Sequence, residues 1–239
     1  MEIRTFRTAQ EIGEAAGKII AGKIKEKPDC VLGLATGASP VPTYNYLIEQ
    51  FNKGEISFKD VTTFNLDEYC DLPREHKNSY FTFMQENLFS KVDIDASKVN
   101  FLDGNADEES ESKRYAEAIN TAGGIDIQIL GIGRNGHIAF NEPSENFTDE
   151  AWKVKLTQST IDANSIYFDD IPMPHYAMTM GIGSIMKARK IILIATGAAK
   201  ADAVKSMING DVTPHCPASI LQQHGDTVIL LDEEAASKL

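Results

Sequence analysis

Short apolar runs that alternate with amphipathic stretches are the feature that most restricts how this chain folds. Cys30 to Leu34, Val61 to Leu66, Ile125 to Gly131, Lys190 to Ala195 and Thr227 to Leu231 read as strands. They are too short for ordinary helices and too continuously apolar for strands wetted on one face. Between them, apolar residues recur at helical spacing, as with Ile12, Ala15, Ile19, Ile20 and Ile24 inside Ala9 to Ile24. Further helices are expected at Val41 to Asn52, Ser79 to Leu88, Glu108 to Thr121 and Ala199 to Met207. Shorter strands are expected at Ile3 to Phe6, Val99 to Leu102 and, at an edge, Trp152 to Leu156. Buried strands joined by helices imply an α/β fold: a Rossmann-like, mostly parallel sheet with helices on both faces. No repeat or linker divides residues 1–239, so one domain is expected. The least regular stretch, Pro143 to Pro174, is the candidate for a mobile lid.

Composition narrows the partners. The net charge is −12 and the pI about 4.9, a field that repels nucleic acid and anionic membranes. A small anionic substrate therefore needs local cations and backbone amides. The three cysteines, Cys30, Cys70 and Cys216, are far apart and form no CxxC pair, so reduced cytosolic thiols are expected. No apolar run resembles a signal peptide or a membrane span, which fits a cytoplasmic protein.

Three strand ends carry the chemistry. After the strand ending at Leu34, Thr36, Gly37, Ala38 and Ser39 lead into a helix, with Ser39 read as its N-cap and Pro40 as its first residue. This is either an ordinary capped helix or an anion cradle of free amides. After Val61 to Leu66, Asp67 and Glu68 place two carboxylates at a strand end: a helix or turn cap, or a general base. After Leu130, a glycine-broken turn packs Asn135, His137, Asn141 and Glu142 together. Gly131 to Gly136 matches GxGxxG, but no helix pattern follows, so a dinucleotide is not expected. His137 and Glu142 have no second histidine nearby and HExxH is absent, so no metal is expected. They form either a buried structural pair or an acid–base pair. Of the other histidines, His76 sits in the charged run Arg74 to Lys77 and is expected to be exposed.

Taken together, Leu32 to Pro40, Phe64 to Tyr69, Ser79 to Met84 and Gly136 to Pro143 resemble glucosamine-6-phosphate deaminases, also called glucosamine-6-phosphate isomerases. The likeness runs nearly end to end and fits their short, non-allosteric bacterial type. It implies cofactor-free conversion of glucosamine 6-phosphate and water to fructose 6-phosphate and ammonia. It implies ring opening by His137, held by Glu142 with Asn135 in an orienting role, and proton transfer between C2 and C1 by Asp67. It assigns the phosphate to Thr36, Gly37, Ala38, Ser39 and Lys200. A galactosamine-6-phosphate isomerase or a 6-phosphogluconolactonase is the alternative within the superfamily; a non-catalytic sugar-phosphate sensor, as in related effector domains of transcription regulators, is the third reading. Family members are monomers or homo-oligomers. One departure stands out: Ile166 occupies the place of an arginine that reaches the phosphate from the lid, and Lys153 and Lys155 are the nearby cations that could compensate.

Overall fold

The computed structural model describes all residues, 1–239. Along the chain run β1 (Glu2–Phe6), α1 (Ala9–Glu26), β2 (Val31–Leu34), α2 (Val41–Asn52), β3 (Thr62–Asn65), β4 (Asp67–Tyr69), α3 (Tyr80–Asn87), β5 (Val99–Asn100), α4 (Glu108–Thr121), β6 (Ile127–Leu130), β7 (Trp152–Lys155), α5 (Gln158–Asn164), β8 (Tyr176–Thr179), α6 (Ile182–Met186), β9 (Lys190–Ala195), α7 (Ala201–Asn209) and β10 (Thr227–Asp232). Seven strands form one sheet in the order β1-β10-β9-β6-β2-β3-β5. Every pairing in it is parallel. This is the single-domain α/β fold with a mostly parallel sheet that the apolar runs imply.

Local chemistry explains the elements. The central strands β2, β6, β9 and β10 are buried along almost their whole length, so both of their faces are apolar. Helix α1 starts at a capping box: Glu11 N–H donates to Thr8 Oγ1, and the Glu11 carboxylate accepts from Thr8 N–H. Its buried face, Ile12, Ala16, Ile20 and Ile24, keeps helical spacing against the sheet and α2. Buried Asp126 pins the entry of the central strands. It accepts from Val31 N–H at 2.8 Å, Lys27 Nζ at 2.8 Å and Arg189 at 3.1 Å.

The strand order reverses between β2 and β6. From β2 the chain winds outward to β3 and β5; from β6 it winds the other way to β9 and β10. Such a switch point opens a crevice beyond the carboxyl ends of the strands.

A second sheet was not legible beforehand. At Leu66 the chain leaves the parallel sheet, its N–H still donating to Leu34 O while its carbonyl accepts from Met180 N–H at 2.7 Å. Asp67–Tyr69 then joins an antiparallel sheet in the order β4-β8-β7. A small apolar cluster, including Tyr69, Phe140, Val154 and Met173, packs with it. The expected edge strand at Trp152 is β7 of this sheet. The stretch Pro143 to Pro174 is therefore less irregular than its sequence implies, since it also contains α5.

The turn after α5 is fastened to the loop before α3. Asn78 Nδ2 donates to Tyr167 O at 2.8 Å, Lys77 pairs with Asp169, and the His76 ring stacks on Phe168. His76 is thus largely covered, with its Nε2 3.3 Å from Asp170, contrary to the exposure expected from its charged neighbours. The stacking ring lies ninety residues away in the chain, beyond the reach of local charge patterning.

Candidate active site

A cleft of about 470 Å³ opens at the switch point. The loops after β2, β3, β6 and β9, together with α5, form its walls. Thr36, Gly37, Ala38 and Ser39 come from the first loop, Asp67 from the second, Asn135 and His137 from the third, and Lys200 from the fourth. Eight of the nine residues singled out by sequence therefore share one cavity. The ninth, Glu142, stands behind the wall in contact with His137.

The loop after β6 is built to hold an imidazole. Gly136 takes φ +84°, a left-handed turn open to glycine, and a Cβ there would sit 2.8 Å from Cys216 Sγ. Gly133 allows a close approach of another kind: a Cβ on it would lie 2.4 Å from Cε1 and Nε2 of His137. The ring rests on bare backbone. Its Nδ1 is 3.1 Å from Glu142 Oε2, which leaves Nε2 as the lone-pair nitrogen when Nδ1 carries the proton. Glu142 is 6% exposed and fully partnered. Oε2 also accepts from Asn135 Nδ2 at 2.6 Å, while Oε1 accepts from Thr157 Oγ1 and Thr160 Oγ1. Burial opposes its ionisation, but the bonds from His137, Thr160 and Asn135 prevail and hold the carboxyl at about 2. Thr157 and Thr160 lie in the stretch that the sequence reads as irregular, and neither was singled out as a site residue.

The fit at Gly133 gives a direct expectation. Gly133→Ala will push the imidazole off its seat and lower kcat by about 100-fold, the cost of a misplacement near 1 Å. The backbone there is not left-handed, so the melting temperature will stay within a few degrees of wild type. Steady-state kinetics and a thermal melt check both.

Asp67 and Glu68 divide their work. The Glu68 carboxylate turns to the start of α3 and accepts three backbone N–H bonds, from Tyr69, Tyr80 and Phe81, each at 2.9 Å. It serves as a helix cap. Asp67, on the opposite face of the strand, points into the cleft, is 6% exposed and has no hydrogen-bond partner. Burial, with the charge of Glu68 added, lifts its carboxyl to about 8. Such a group picks up and gives back a proton near neutral pH.

The opposite wall is cationic. Lys200 Nζ donates to Ile132 O at 2.6 Å and keeps further N–H donors for a ligand. Burial, then the neighbouring Arg134, lower its pKa. In the loop after β2, Ser39 does not cap α2 as expected. The Val41 N–H is already taken by Ala38 O in a tight turn, and the helix begins at Val41 with Pro40 in the cap position and no side-chain cap. The Ser39 hydroxyl is thereby left to the cleft. Lys153 and Lys155 do not compensate for Ile166. They alternate with buried Val154 on β7, point to solvent and do not line the cavity, and Lys153 Nζ lies over the Tyr176 ring. Ile166 is itself 75% exposed.

A parallel sheet with titratable side chains and cations gathered at its switch point places this chain in the class of doubly wound α/β enzymes acting on small polar molecules. The chain belongs to the family described as glucosamine-6-phosphate isomerases/6-phosphogluconolactonase, whose profile matches residues 5–229. It is 46% identical to the glucosamine-6-phosphate deaminase of Clostridioides difficile (strain 630), over 100% of this chain and 97% of that protein. It is 48% identical to the deaminase of Clostridium botulinum (strain Langeland), with coverage of 100% and 99%. Among solved structures, a monomeric glucosamine-6-phosphate deaminase superposes with a TM-score of 0.96 at 42% identity, covering all of both chains. The 6-phosphogluconolactonase of Thermotoga maritima shares the fold, with a TM-score of 0.77 at 21% identity.

Proposed function

We propose that this chain is a glucosamine-6-phosphate deaminase that works without a cofactor. The observation that carries the reading is the meeting of Asp67 and His137 in one cleft, from strand ends far apart in sequence. The substrate is a ring-closed aldose, so ring opening comes first. His137, with Nδ1 held by Glu142, takes the proton of the anomeric hydroxyl through Nε2 and delivers it to the ring oxygen. Glu142 fixes the ring orientation, and Asn135 holds Glu142 in place. Asp67 then removes the C2 proton from the open chain, giving an enolamine, and returns it at C1. The resulting C2 imine adds water and expels ammonia, leaving fructose 6-phosphate.

The poise of Asp67 suits this step. A carboxyl that is neutral in the empty site ionises readily when an ammonium group on the substrate enters beside it. The segment 143–174, with α5 against the cleft, serves as the lid. No helix is long and apolar enough to cross a membrane. A lactonase needs no C2 base, so a buried, proton-exchanging Asp67 favours the deaminase over that relative.

The test is ammonia release from glucosamine 6-phosphate by the purified chain, run beside galactosamine 6-phosphate and 6-phosphogluconolactone. Release from the first at a kcat/KM at least tenfold above the second, with no lactone hydrolysis, is expected. Faster turnover of the galacto epimer reassigns the substrate, and lactone hydrolysis without ammonia overturns the reading.

A further inference from the structure

We propose that Arg134 is a phosphate-binding and specificity-determining residue, which clasps the substrate phosphate with Lys200 from the fixed, sheet-end side of the cleft. The inference rests on the reading of the cleft as a sugar-phosphate site and adds a residue to it.

Arg134 and Lys200 are the only Lys or Arg side chains lining the cavity. The wall made by α5 and the turn after it contributes Ser159, Thr160, Ala163, Asn164 and Tyr167, all neutral. A dianion entering here therefore finds cations on one side alone. Arg134 is exposed and makes no ion pair, and its guanidinium donates no hydrogen bond to the protein. Arg114 and Arg189, by contrast, are bound to buried carboxylates. The two cations are structurally coupled, because Lys200 donates to Ile132 O, two residues before Arg134. Burial, and after it the charge of Arg134, lower the proton affinity of Lys200. Two unneutralised cations facing one cavity, in a chain of net charge −12, are an arrangement that an anion relieves. A guanidinium offers a bidentate fork to phosphate oxygens, and Lys200 offers a point charge beside it.

This position differs in kind from a lid arginine. Arg134 rides on the rigid turn that also carries Asn135 and His137. It holds the phosphate whether or not the lid is closed, so its contribution is equal in ground state and transition state.

The experiment compares Arg134→Ala, Arg134→Lys and the surface control Arg7→Ala. With glucosamine 6-phosphate, Arg134→Ala should raise KM about 10- to 100-fold with kcat within about threefold of wild type. The inhibition constant of inorganic phosphate should rise at least tenfold. Arg134→Lys should recover part of both effects, and Arg7→Ala neither. If Arg134→Ala leaves KM and phosphate inhibition within twofold of wild type, or if Arg7→Ala matches it, the proposal fails. A second readout needs no turnover: inorganic phosphate should raise the melting temperature of wild type and not of Arg134→Ala. If the chain releases no ammonia yet this difference holds, the assigned reaction is wrong and the anion clasp stands. If ammonia is released and the difference is absent, the clasp is wrong and the reaction stands.

Discussion

Asp67→Asn will abolish ammonia release and at the same time make the protein more resistant to unfolding at pH 8. The loss follows from the role: an amide cannot accept the C2 proton, and removal of a positioned base costs about 100- to 10,000-fold in kcat. The gain follows from the surroundings. Asp67 is buried beside Glu68 with no hydrogen-bond donor to satisfy its charge, which lifts its carboxyl to about 8. In the unfolded chain it ionises near its ordinary value of 3.8. Between these values the folded state binds more protons than the unfolded state, so this residue draws stability down as pH rises from about 4 to about 8. Above 8 both states are ionised and the deficit is constant. Asparagine removes the titration. The variant should therefore match wild type near pH 4, gain progressively toward pH 8 and level off there, by several kcal/mol, since each tenfold difference in proton affinity contributes about 1.4 kcal/mol. Chemical denaturation at pH 4, 6, 8 and 9 measures this. A stability difference that does not change with pH would show that Asp67 is not held neutral by burial.

Glu142→Gln should fail in both respects. The carboxylate gathers donors from His137, Asn135, Thr157 and Thr160. Glutamine offers one acceptor oxygen and turns an NH2 group toward groups that were donating, so one of them is left buried and unpaired. Hydrogen bonds to a charged group contribute about 1.5–3 kcal/mol each, and a loss within that range is expected. The kinetic effect should be larger, because the imidazole loses the partner that sets its tautomer and orientation. A fall in kcat of about 100- to 10,000-fold follows. The pH signature is opposite to that of Asp67. The depressed carboxyl stabilises the fold above about 4.5, and this contribution is lost as pH falls toward about 2. The variant should lack that acid-side loss. An unfolding midpoint that falls as steeply as that of wild type between pH 4.5 and 2.5 would overturn the assignment.

The main sheet was legible because β2, β6, β9 and β10 are buried on both faces and have little choice but to be apolar. The site was legible at the ends of β2, β3 and β6, where glycines and polar residues interrupt those runs. What escaped the sequence was decided at a distance. Asp67 and Glu68 are adjacent and chemically alike; only the departure of the chain from the main sheet at Leu66 sends one to the cleft and the other to α3. Ser39 has the chemistry of an N-cap, but the turn closed by Ala38 moves the helix start past it. Lys153 and Lys155 are near the lid in sequence, yet strand alternation about Val154 faces them away. Arg134 stands beside His137 in the chain, but only the folding of Lys200 against Ile132 gives it a companion.

The small sheet β4-β8-β7 has a mechanical consequence. Asp67 pairs with Thr179 on β8, β8 pairs with β7, and the chain passes from Lys155 through a two-residue link into α5. Asp67 and, through that link, α5 are thus carried by one three-stranded plate, while His137, Arg134 and Lys200 stand on loops at the ends of main-sheet strands. A tilt of that plate when product leaves would draw the carboxylate back from the hexose as the exit widens, so that release and disarming become a single motion.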